Sequence, residues 1–191
     1  MDEKGTLQTF CRQVRERSRE NRKALALLHD AELYGSVIGI LRQELDSMIR
    51  VIFLLSISNS ARRNSLIEDA VNGRIWKENT KGRITDREMI NLADKLHGWS
   101  RSVYRFGCAF IHLSSLHDYR ERDPMNELSP EERNDLLQHL RNYHGGPASD
   151  AATFRDIVCY LPNVFEKVAG NLEYYLNQLE RGEQLELEQG G

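Results

Sequence analysis

Arg105 and His112 are the two residues whose types and spacing best suit a reaction. On an α-helix, positions seven apart differ by only about 20° around the axis, so both side chains project from one face, two turns apart. Arg101 and Tyr119 continue that stripe, while Val103, Phe106 and Phe110 form the opposite face, which would seat the helix in a core. An imidazole titrates near neutrality and can move the proton of a 2′-hydroxyl or of a leaving oxygen. A guanidinium beside it would stabilise charge building on a phosphate. That is the equipment for cutting RNA without a metal, and DNA, lacking the 2′-hydroxyl, could not react in this way. The plainer account makes Arg105 a solvated or ion-paired surface residue and His112 a hydrogen-bonded helix histidine.

Apolar residues recur at three- and four-residue spacing along nearly the whole chain, which predicts an all-α helical bundle. Helices are expected over about 5–29, 31–57 and 60–72. The second, with Val37, Leu41, Leu45, Met48, Ile52 and Leu55 in one stripe, is the core element. Asn72-Gly73 opens a stretch to Arg83 that reads as a loop or small β-hairpin. Thr85-Asp-Arg-Glu88 has the capping-box form and should start a helix ending near His97 and Gly98. A helix over 99–118 carries the Arg105/His112 stripe. Ser129-Pro-Glu-Glu132 starts another, stopped by Gly145-Gly146-Pro147. Helical stretches over about 151–160 and 162–180 finish a single domain of residues 1–182, and residues 183–191 read as an acidic, disordered tail.

Further residues bear on the same chemistry. Gly35, Gly39, Arg42, Asp46 and Arg50 share one sector of the second helix, where Arg42 could bind phosphate and Asp46 could orient His112 or Arg105. An exposed salt-bridge ladder accounts for that spacing equally well. Arg12, Arg15, Arg19 and Arg22 share a face of the first helix and could follow a phosphate backbone, or simply be solvated. In the hairpin region Arg74, Lys77, Lys81 and Arg83 surround Trp76, which offers a stacking face for a base or anchors its loop. His112 and His117, like His139 and His144, are five apart, which suits a helical metal pair poorly. His117 reads as a core histidine and His144 as a partner of the helix dipole.

With 191 residues, 40% of them hydrophobic and 29% charged, the chain can bury a core of its own, and its formal net charge is −3. No apolar run approaches a membrane span, so no membrane partner is expected and a cytoplasmic location is. Cys11, Cys108 and Cys159 stand far apart and form no metal knuckle. No phosphate-cradling glycine loop or Ser-His-Asp ordering is present, and neither a cofactor nor a metal is expected.

Arg105-Phe-Gly-Cys-Ala-Phe-Ile-His112 resembles the Arg-x4-6-His signature of the HEPN superfamily, helical-bundle proteins that are often RNases of toxin, antiviral or RNA-processing systems. Six intervening residues is the longest spacing of that signature, and Phe106 stands where a polar residue commonly follows the Arg. The long helix containing Arg42 and Asp46 is similar to the companion helix of such bundles. The resemblance implies a homodimer that joins two Arg/His pairs, RNA as substrate, and an antitoxin or defence-system partner. The expected function is a metal-independent RNA endonuclease, with His112 as general acid or base and Arg105 stabilising phosphate charge. The alternatives are a non-catalytic bundle binding a protein partner or nucleotide, and a metal-dependent helical hydrolase.

Overall fold

A computed structural model describes residues 3–78, 82–112 and 114–185. Its spine is α2 (Tyr34–Ser56), whose Val37, Ile38, Leu45, Met48, Ile49, Ile52 and Leu55 are fully buried. An apolar residue at nearly every third or fourth position, spread around more than one face, leaves α2 only a narrow stripe towards water, at Ser36, Gln43, Asp46 and Arg50, so other helices must cover it on several sides. α1 (Glu3–Asp30), α3 (Ser60–Val71), α4 (Asp86–His97), α5 (Ser100–Ile111) and α8 (Leu161–Glu180) all pack against it. α6 (Pro130–His144) lies against α5, and the short α7 (Phe154–Ile157) leads through a 3-10 turn into α8. The architecture is an all-α bundle with one two-stranded antiparallel ribbon, β1 (Lys77–Glu78) with β2 (Gly82–Arg83). Among the described residues no helix is long and apolar enough to cross a membrane.

Local signals explain the boundaries. Thr85 and Glu88 form the expected capping box, as do Ser129 and Glu132, each pair satisfying two backbone N–H groups that would otherwise lack acceptors. Gly98 and Gly145 end their helices at φ 65° and 78°, a backbone region costly for residues with a Cβ. Residues 151–153 are not helical as expected, because Thr153 forms its own capping box with Asp156 and starts α7 only at Phe154.

The expected helix over 99–118 is corrected: α5 stops at Ile111, with His112 extended at φ −95° and ψ 140°. Its last carbonyls are claimed by side chains from the segment that follows. Ser114 Oγ donates to Ala109 O at 2.6 Å, and His117 Nε2 donates to Phe110 O at 3.1 Å while its Nδ1 accepts from Ser114 N–H. Both side chains thereby compete with helix continuation.

The basic stripe of α1 is also corrected, since two of its arginines are joined to acids of α8. Arg15 binds Glu173 and Glu180, at 2.7 Å to the latter, and Arg22 binds Glu166 at 2.7 Å. Arg19 pairs with Glu16 on its own helix. The tail is held at its start, where Leu185 N–H donates to Leu55 O at 3.0 Å and Arg63 to Glu183 O at 2.9 Å. Residues 186–191 of the expected disordered tail lie outside the described residues.

Trp76 is not a free stacking face. It is 4% exposed, stacked on Phe53 with ring centroids 6.0 Å apart, and has the Arg50 guanidinium 5.4 Å from its ring. Removing a buried indole leaves a cavity, so Trp76→Ala should cost about 3 kcal/mol and lower Tm by several degrees. Denaturant titration checks this, and a change below about 1 kcal/mol would mean that the ribbon is not anchored by its tryptophan.

Candidate functional site

α5 divides its residues as its sequence periodicity requires. Val103, Phe106 and Phe110 are buried at 5–8% exposure, whereas Arg101, Arg105 and His112 are exposed. Seven residues of helical rise separate Arg105 from His112 by about 10 Å along the axis. Among the described residues the imidazole of His112 and the guanidinium of Arg105 have no hydrogen-bond or ion-pair partner, though Arg105 lies close enough to help hold the Glu132 carboxyl below its usual range. The first cause of that lowering is the cap at Ser129, which donates its backbone N–H to Glu132. The other five histidines differ from His112. His29, His97 and His117 are hydrogen-bonded, His139 is buried and His144 is half-buried.

The supporting residues are arranged differently from expectation. Because α5 ends at Ile111, Tyr119 leaves the Arg105 stripe and joins an aromatic group with Phe154, Tyr34 and Phe110, at 5.5 to 6.4 Å between ring centroids. Arg101 is tied back to α4 by Asp94, whose Oδ1 accepts from the Arg101 backbone N–H at 3.1 Å and whose Oδ2 lies 3.4 Å from Nε.

Arg42 and Asp46 form no exposed ladder and line no open site. Arg42 is 3% exposed, its Nη1 lies 2.7 Å from Asp46 Oδ1, and its guanidinium is 3.6 Å from the Tyr104 ring centroid. Nη1 is in contact with the carboxylate but out of line for a hydrogen bond, and Nε has no acceptor among the described residues. Burial opposes the Arg42 charge, and Asp46, with help from Cys108 and Tyr104, more than offsets it, so the guanidinium is held above its ordinary range. α5 can lie on the arginine stem only because residue 107 is glycine: a Cβ there would stand 2.9 Å from Arg42 Cβ.

The hairpin cations are dispersed. Arg74 is bound to Asp69 at 2.6 Å and Glu68 at 3.2 Å, Lys77 and Arg83 face each other across the ribbon register, and Lys81 lies outside the described residues. With Trp76 buried, the segment offers charges without the expected stacking face.

Sequence reasoning missed a groove of about 640 Å³ between α5 and α6 that includes Arg101 and Arg105. Its α6 wall carries Glu131, Asp135 and His139, one helical turn apart on one face. His139 is 4% exposed, and both its ring nitrogens lack a partner among the described residues. It packs against Trp99 at 5.3 Å and His144 at 5.2 Å between ring centroids. Burial first, then the neighbouring His144 and Lys167 charges, lower its pKa to about 4. Burial also lowers His144 and His97, in each case with help from Lys167. Lys167 Nζ itself sits 3.3 Å from the Tyr143 ring centroid. The i, i+4 spacing of Asp135 and His139 was the available signal, and nothing in it says that the imidazole is buried. Among the described residues no three His, Cys, Asp or Glu side chains are grouped to hold a metal ion.

No family model, no curated protein and no solved structure matches the chain.

A His139 pKa of about 4 in the fold, against about 6.5 when unfolded, gives stability a definite pH dependence. The unfolded chain takes up the proton first, so the stabilisation is complete above about pH 6.5 and is lost as pH falls towards 4. Between pH 6.5 and 5 this group alone should cost about 2 kcal/mol in urea unfolding. His139→Asn should flatten that dependence, and the same slope in wild type and variant would remove His139 as its source.

Proposed function

We propose that the chain is a HEPN-like, metal-independent RNA endonuclease in which His112 moves protons and Arg105 stabilises phosphate charge. The observation that carries this reading is that His112 is the exposed, unpartnered histidine among the described residues, on the helix end that follows an exposed and unpaired Arg105. In the reaction the 2′-oxygen attacks phosphorus and the 5′-oxygen departs, leaving a 2′,3′-cyclic phosphate and a 5′-hydroxyl. An imidazole accepts the 2′-proton or supplies the proton to the leaving oxygen, and the guanidinium balances charge on the phosphoryl oxygens.

One imidazole cannot be both base and acid in a single concerted step. Two copies of the chain, related by a two-fold axis, would supply one of each. Ile111, 47% exposed beside His112, gives that end of α5 an apolar contact surface. An antitoxin-like or defence-system protein covering the same end would restrain the activity, and a cytoplasmic location would fit an RNA substrate.

RNA should be cut in EDTA and yield cyclic phosphate ends. His112→Ala should slow cleavage by roughly 10²-fold or more, the usual scale for losing a general acid or base, and Arg105→Ala should also impair it, with helical circular dichroism unchanged. Equal cleavage by wild type and His112→Ala would defeat the proposal.

A further inference from the structure

We propose that α6 is an acid-released flap. An interior cluster of bases, His97, His139, His144 and Lys167, joins it to α4, α5 and α8, and uptake of protons by His139 and His144 lifts it from the bundle together with its two flanking segments. The inference does not rest on the endonuclease reading.

The moving unit is defined by its hydrogen bonds. Arg133 donates to Met125 O at 2.9 Å on one side of α6 and to Asp150 O and Ala152 O, at 3.1 and 2.8 Å, on the other. Arg141 donates to Pro147 O at 2.7 Å and pairs with Asp150 at the same distance. Asp123 Oδ1 joins the two flanks by accepting from Phe154 N–H at 3.0 Å. Among the described residues, every side-chain hydrogen bond and ion pair made by α6 goes to these flanks, including the cap at Ser129. Towards the bundle α6 presents Leu136, Leu137 and Leu140, with His139 buried beside them. Such a unit, stitched internally and attached by packing, can open without unfolding the rest.

The cluster is where that attachment carries charge. His139 packs between Trp99 of the α5 cap, Tyr143 and His144, at 5.2 to 5.3 Å between ring centroids. His97 of α4 lies 5.3 Å from the same Trp99 and is hydrogen-bonded to the hydroxyl of Tyr175 on α8. Lys167 of α8 caps the group, its Nζ 3.3 Å from the Tyr143 ring centroid and 5.7 Å from that of Trp99. No carboxylate balances these bases. On α8, Glu166 is turned to Arg22, and Glu173 and Glu180 to Arg15; Asp94 of α4 is taken by Arg101, and Asp135 is exposed.

A proton added to His139 therefore meets burial, His144 and Lys167, all of which oppose it, and one added to His144 meets burial and Lys167. Lifting α6 returns both imidazoles to water and separates them from Lys167. It also hydrates ring nitrogens that have no partner in the closed form among the described residues. The open form binds protons more tightly, so it gains population as pH falls from about 6.5 towards 4.

Hydrogen exchange of the full chain at pH 7.5, 6.5 and 5.5, with the intrinsic pH dependence divided out, tests this. Protection of the α6 amides should fall by roughly tenfold or more between pH 7.5 and 5.5, the effect of His139 alone, while α2 keeps its protection. His139→Asn should remove most of that fall. Lys167→Gln, which withdraws the opposing charge from a half-buried site on α8, should also reduce it. Constant α6 protection across this range overturns the proposal. Loss of α2 protection in step with α6 does so too, because the opening is then global. So does the full wild-type fall in His139→Asn, or in Lys167→Gln if His139→Asn does not fold.

Discussion

The placement of α5 depends on a buried charge. Arg42, at 3% exposure, sits beneath that helix with Asp46 on one side and the Tyr104 ring on the other. Taking a guanidinium out of water costs several kcal/mol, and only with its partners in place, Asp46 and the Tyr104 ring among them, is that cost offset. Such a group stabilises little by itself, but it strongly penalises any arrangement that removes its partners. α5 therefore has one depth and one rotation at which Tyr104 covers the cation and Gly107 clears its stem. Arg105 lies one residue from Tyr104 and two from Gly107, so the same constraint aims its side chain outward.

The exposure of His112 at the other end of α5 depends on a second constraint, the side-chain claim on the last carbonyls. Ser114 and His117 satisfy Ala109 and Phe110, and the chain turns away at His112. An imidazole within a continuing helix would be held by its neighbours on the same face. At an extended C-cap it has solvent on several sides and freedom to approach a substrate. The two histidines five residues apart thus divide their work: His117 is structural because both its nitrogens are bonded, and His112 is free because it stands just beyond the last helical residue.

The elements most legible in the sequence were those written in local chemistry. Capping boxes at Thr85 and Ser129, glycine stops at Gly98 and Gly145, and the apolar wrapping of α2 each state their consequence within one or two turns. Burial of polar groups was illegible, because it depends on which helix arrives from far along the chain. Arg42 and Asp46 have the spacing of a surface ladder, and only the arrival of α5 buries the arginine. Trp76 amid cations suits a base-stacking loop equally well, until Phe53 of α2 takes its face. The α1 arginines read as free charge because their acids, Glu166, Glu173 and Glu180, lie more than 140 residues away. The Arg105/His112 pair was found by type and spacing alone, whereas the groove beside it needed α6 as its second wall.

These cancellations determine how an RNA strand would have to be held. Counterion release drives most non-specific nucleic-acid binding, and its strength scales with the number of cations free to meet phosphates. Here Arg15, Arg22, Arg74 and Arg101 are already paired with carboxylates, the net charge is −3, and the groove next to Arg105 carries unpaired acids. A surface of that kind gives weak attraction at long range and leaves little energy for sequence-independent tracking. On the endonuclease reading, binding would then have to come from short-range contacts that carboxylates do not oppose, namely hydrogen bonds and stacking to bases, with Arg105 neutralising one phosphate where the strand is cut. On that reading, a sparse site on an acidic protein is consistent if recognition is done by bases and the backbone is touched only where it is cut.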